Sequence, residues 1–65
     1  MFRVIGGGFY RYIKNNRTGR GCWRREGEGL KRTERETFTE EEAREILAQN
    51  SRAFIKMAGA EMVEA

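Results

Sequence analysis

Apolar and polar positions along this chain of 65 residues change their period once, near residue 38. Before that point the spacing suits strands. Phe2 and Val4 alternate weakly with Arg3 and Ile5, as in a short edge strand, and Gly6-Gly7-Gly8 then interrupts any regular element. Phe9 to Lys14 is rich in aromatic and β-branched residues and reads as a strand. Asn15-Asn16-Arg17-Thr18-Gly19 supplies turn formers, and Arg20 to Arg25 returns as a second strand. After residue 38, Ala43, Ile46, Leu47 and Asn50 recur on one face at helical spacing. The pattern predicts an α+β domain, a small antiparallel sheet of two to four strands with one amphipathic helix packed on one face.

The helix start is the sharpest local signal. Thr39 followed three residues later by Glu42 forms a capping box, the hydroxyl accepting from the Glu42 N–H and the carboxylate from the Thr39 N–H. Glu40, Glu41 and Glu42 fill the first turn, where the positive end of the helix dipole favours anions. The predicted helix covers 39–50 and ends near Asn50-Ser51, both poor helix-interior residues. Residues 51–65 form a C-terminal extension, read as an irregular link and a short extended tail that adds to the sheet. A second helical turn is the alternative, because Phe54, Met57, Ala58 and Met62 approximate helical spacing around Gly59.

The single domain therefore divides into a flexible N-terminal edge (1–8), a basic hairpin and sheet (9–38), the helix and the extension. Within the second part, Leu30 to Phe38 adds a third strand, and its charged run Lys31-Arg32-Thr33-Glu34-Arg35-Glu36 makes it an exposed edge or a loop. The glycine run is no phosphate loop, since no Lys-Ser or Lys-Thr follows it.

Composition narrows the chemistry. There is no histidine and one cysteine, Cys22, so a structural zinc site, a disulfide within the chain and the commonest general base are all missing. A chain without an enzyme's usual groups, and without cofactor motifs, is expected to bind rather than catalyse. Glu40, Glu41, Glu42 and Glu45 would need a cleft to act as acid and base, and a solvated first turn explains them better. No run of 18 apolar residues and no signal-peptide pattern occurs, which predicts a cytoplasmic protein that does not enter the membrane. The small size makes a homodimer plausible.

Charge is unevenly distributed. Residues 1–35 carry ten Lys or Arg against three Glu, a net +7, and residues 36–65 carry three against seven, a net −4. If the hairpin strands pair across an odd-length loop, Phe9, Ile13 and Trp23 share the face under the helix. Tyr10, Tyr12, Lys14, Arg20, Cys22 and Arg24 then share the outer face. The candidate binding residues on this basic aromatic hairpin are Tyr10, Arg11, Tyr12, Lys14, Arg17, Arg20, Arg24 and Arg25. Cations neutralise phosphates and tyrosines stack on unpaired bases, while Tyr, Trp and Arg also dominate protein hot spots, so the pattern serves RNA, DNA or a protein partner. The competing reading is a solvated face, with Cys22 an incidental small residue in it.

The order Tyr12-Ile13-Lys14, Thr18-Gly19-Arg20-Gly21 with Trp23, Gly27-Glu28-Gly29-Leu30, Phe38-Thr39-Glu40-Glu41-Glu42-Ala43 and Ala60-Glu61-Met62-Val63-Glu64 resembles small phage- and prophage-encoded proteins of unassigned function. The resemblance spans roughly residues 9 to 64 and implies a compact hairpin, one helix and a terminal strand. It also implies a setting. Small phage proteins without catalytic residues are often inhibitors of host machinery, among them anti-CRISPR and other anti-defence proteins. The expected partner is then a host protein or protein–nucleic-acid complex, and the alternative is a small nucleic-acid-binding module using the same basic face.

Overall fold

The computed structural model describes residues 1–53 and 59–65. Its elements are β1 (Phe2–Gly6), β2 (Tyr10–Asn15), β3 (Gly21–Arg25), β4 (Glu34–Arg35), α1 (Glu40–Ala53) and β5 (Glu61–Glu64). The strands form one antiparallel five-stranded sheet in the order β3-β2-β1-β5, with β4 also pairing β2, and α1 packs on one face. The α+β architecture is as expected, with one strand more than the sequence pattern provides for.

The extra strand comes from a fork. β1 pairs β2 only at Ile5↔Arg11 and Gly6↔Tyr10, and the segment 34–38 fills the space where the two strands diverge. There β4 pairs Lys14 and Asn15, while Phe38 exchanges backbone hydrogen bonds of 2.7 Å with Phe2 in both directions. Phe38 is thereby fully buried. The C-terminal tail does extend the sheet, pairing Glu61–Glu64 with Ile5–Phe2. β1 is consequently an inner strand, contrary to its reading as an edge.

Helix α1 starts at the capping box, with Thr39 N–H donating to Glu42 Oε1 at 3.0 Å and Glu42 N–H to Thr39 Oγ1 at 3.1 Å. It runs through Asn50 and Ser51 to Ala53, since their propensity cost is only a few tenths of a kcal/mol each. Ala43 and Ile46 are buried with Val4 and Phe38, and Phe2, Tyr12, Trp23, Leu47 and Met62 pack around them. The predicted contact of Asn50 and the helical alternative for Phe54, Met57 and Ala58 lie outside the described residues.

The hairpin faces are sorted differently from the odd-loop expectation. Lys14 pairs Gly21, so six residues lie between the paired ends, an even number, and each residue of β2 shares its face with a β3 residue of opposite parity. Tyr12 lies opposite Trp23 on the helix face, and Ile13 lies opposite Cys22 on the other. Trp23 is a core neighbour as expected, but Tyr12 joins it, their rings meeting edge to face at 5.4 Å. Phe9, expected under the helix, is 81% exposed. It belongs to the β1–β2 turn, where Gly8 and Phe9 both take positive φ, 74° and 65°. Two consecutive left-handed residues give a hairpin turn the twist that matches its strands, and the turn carries Phe9 away from the core.

Candidate functional site

The eight candidate residues do not form one surface. Tyr12 is committed to the core, where its ring also faces Phe38 at 6.0 Å. A Cβ at Gly21 would overlap the Tyr12 ring and hydroxyl, so glycine at this position is what lets the tyrosine lie flat across β3. Tyr10, at the far end of the same face, lies under the Arg25 guanidinium, 5.9 Å from the ring centre, a cation–π pair. The tyrosines are therefore not a free stacking platform, which corrects the outward stripe expected from the sequence.

Arg11 and Arg24 are also spent within the fold. Both point away from the helix, toward the segment that follows β3. Arg11, 4% exposed, donates through Nε to Glu36 at 2.8 Å, and its two terminal nitrogens reach the carbonyls of Arg25 and Glu28, the latter at 2.6 Å. Arg24 holds Glu34 in a two-pronged pair of 2.5 and 2.8 Å. Arg3 adds ion pairs to Glu26 and Glu36. A planar guanidinium meets a carboxylate with two parallel bonds, so this lattice fixes the covering loop as well as balancing charge. The Glu34 carboxyl is held down to about 2, first by hydrogen bonds from Arg24 and then by the Lys31 N–H.

On the helix face Arg35 does similar work between elements. It reaches Asn16 Oδ1 at 2.8 Å, the Thr37 carbonyl at 3.1 Å and Glu42 Oε2 at 2.7 Å, with its guanidinium 4.9 Å from the Phe38 ring centre. Glu42 is lowered to about 2, first by Arg35 and then by the Thr39 N–H. The helix N-terminus is thus tied to the hairpin by one arginine. Glu34, Arg35 and Glu36 belong to the run expected as an exposed edge or a loop. Their strict alternation of sign was the available signal, because in a strand it sends the two acids to one face and the arginine to the other.

What remains free is the hairpin tip. Among the described residues, the side chains of Lys14, Arg17, Arg20, Lys31 and Arg32 make no ion pair and no hydrogen bond. Arg17, Arg20, Lys31 and Arg32 are exposed and Lys14 is half-buried. The turn that presents Arg17 and Arg20 is internally bonded. Asn15 Oδ1 accepts from the N–H groups of Arg17 (2.9 Å) and Thr18 (3.3 Å), and the Asn15 carbonyl accepts from Gly19 (2.7 Å). Gly19 closes the turn at φ 77°, and Thr18 Oγ1 accepts from the Arg20 N–H at 3.2 Å. The Asn16 N–H donates to the Thr33 carbonyl at 2.7 Å, bringing the loop that carries Lys31 and Arg32 beside the tip. Lys31 and Arg32 were missed as site residues because nothing local to them announces this neighbour.

A hollow of about 420 Å³ opens at the tip, on the face away from the helix. Ile13, Asn15, Thr18, Arg20, Gly21, Cys22 and Glu34 line it. Its base is apolar and its rim carries both charge and hydroxyl. Cys22 is an exposed free thiol in this wall.

Among the described residues no group of three or more metal-ligating side chains is positioned to hold an ion, and no helix is long and apolar enough to cross a membrane. The chain matches no protein-family model, no curated protein and no solved structure.

Proposed function

We propose that this chain is a non-enzymatic binding module that docks on nucleic-acid phosphates through the cations of its hairpin tip. The supporting observation is the division of its cations. Arg3, Arg11, Arg24, Arg35 and Arg44 are ion-paired within the fold and Arg25 lies over the Tyr10 ring, whereas Lys14, Arg17, Arg20, Lys31 and Arg32 have no ion pair among the described residues. A cation already held by a glutamate gains little from a phosphate. One left in water releases the polymer's condensed counterions when it binds. Because Tyr12 and Trp23 are packed on the core, affinity rests on charge and not on the hairpin aromatics. Work in the cytoplasm is part of the same proposal.

The test is the salt dependence of binding to a labelled oligonucleotide. Log K falls linearly with log salt, with a slope of about −0.9 for each duplex phosphate neutralised. Failure to bind any oligonucleotide at low salt would overturn the proposal.

Inhibition of a host protein complex, in the manner of small phage accessory proteins, is the second function supported. Phe9 favours it, since an 81% exposed aromatic held at φ 65° is a strained and costly arrangement for a surface with no contact to make. A partner bound through Phe9 and not through the tip would show weak salt dependence and loss of binding in Phe9→Gly.

A further inference from the structure

We infer that the hollow beside the hairpin tip receives an unpaired base, so that the nucleic acid bound there is single-stranded. This rests on the phosphate-binding function proposed above and adds the state of the strand to it. The geometry has three parts. The hollow, at about 420 Å³, is within the range of small-ligand pockets, about 300 to 1,000 Å³, and is too local to follow a duplex groove. Its wall is mostly apolar, the exposed Cys22 side chain and the bare backbone of Gly21 lying over the buried Ile13, and it accepts a flat heterocycle.

Its rim is charged for the same polymer. Arg20 lines the hollow and has no side-chain partner among the described residues, and a guanidinium plane stacks on a base as readily as it pairs a phosphate. Arg17 adjoins Thr18 in the turn. Lys31 is tied to the lining residue Glu34, its N–H donating to Glu34 Oε1 at 2.7 Å. A phosphate beside a seated base therefore meets Arg20 and Arg17, which have no ion pair among the described residues. Glu34 does not repel them as a bare charge would, because Arg24 grips both of its oxygens. The Thr18 hydroxyl, which accepts from Arg20 N–H, retains its own proton to donate to a base edge.

Cys22 supplies the readout. Its thiol is exposed in the hollow wall, so a seated base covers it while charge contacts at the tip alone do not. The experiment measures binding of a short single-stranded oligonucleotide, the matching duplex, inorganic polyphosphate and poly-glutamate. It also measures the rate of Cys22 alkylation with each at saturation. The expected result is single-strand affinity about ten-fold above duplex, with alkylation slowed by the single strand and not by polyphosphate. Filling the hollow with Cys22→Ile is expected to reduce single-strand affinity about ten-fold and leave polyphosphate binding unchanged.

Equal affinity for single strand and duplex, or unhindered alkylation in the presence of saturating single strand, would overturn the inference and leave phosphate binding standing. Binding of no oligonucleotide would overturn both. Poly-glutamate bound as tightly as the oligonucleotide would also overturn both, assigning the tip to an acidic protein.

Discussion

The two faces of the sheet are held by different physics. Toward α1 the contacts are apolar: Val4, Phe38, Ala43 and Ile46 are buried, and Tyr12, Trp23, Leu47 and Met62 pack against them. On the opposite face the cover is a loop, and what secures it is a set of arginine–glutamate pairs, Arg11 with Glu36, Arg24 with Glu34, and Arg3 with Glu26. The apolar side is non-directional and tolerates exchange of similar volumes. The charged side is directional, and losing one partner leaves the other stranded. A small domain with little apolar surface to bury thus obtains a second packed layer from residues that composition alone assigns to solvent.

The contrast can be broken from either side, and the largest effect is expected on the apolar one. Phe38→Ala removes the fully buried wedge of the fork and is expected to cost about 3 to 5 kcal/mol, enough to unfold most of the population, measured by urea denaturation. Loss of less than about 1 kcal/mol would place the core elsewhere. On the charged side Arg11→Met keeps the apolar stem but strands two carbonyls and leaves Glu36 with only its longer pair to Arg3, with an expected loss of about 3 kcal/mol. A neutral result would show that the loop is held without its central arginine.

Acid sharpens the same contrast through Glu34 on the charged side, and it also loosens the hold of Arg35 on the helix start through Glu42. Glu34 and Glu42 are held down to about 2, from an ordinary value of 4.5. Groups lowered in the folded state contribute their stability fully above the unfolded value and lose it as pH falls through the folded one. Tm is therefore expected to decline between about pH 4.5 and pH 2, and less steeply in Glu34→Gln. The smallest effect lies outside both faces. Phe9→Gly relieves a left-handed aromatic and is expected to change stability by no more than about 1 kcal/mol, toward greater stability, by the same urea measurement.

What the sequence made legible follows distance along the chain. The capping box, the helix face and the Asn15–Gly19 turn depend on neighbours three or four residues away, and each is formed. The facing of the hairpin depends on whether its loop is even or odd, which no single residue declares. One residue of register moved Tyr12 inward and paired Ile13 with Cys22 on the far face. The candidate site was legible as charge and not as availability. Arg11 and Arg17 read alike in the sequence, yet only one meets a glutamate, because Glu36 is brought back across the sheet by a segment 25 residues later. Arg17 and Arg20, in the turn, meet no acid among the described residues.

The central claim is that paired arginines hold the fold and unpaired ones bind. It is tested most directly by the low-salt oligonucleotide affinity of the Arg17→Ala plus Arg20→Ala variant, with its Tm recorded alongside. The account predicts stability within about 0.5 kcal/mol of the parent and affinity lowered by about ten-fold or more. Unchanged affinity, or a variant that fails to fold, would contradict it.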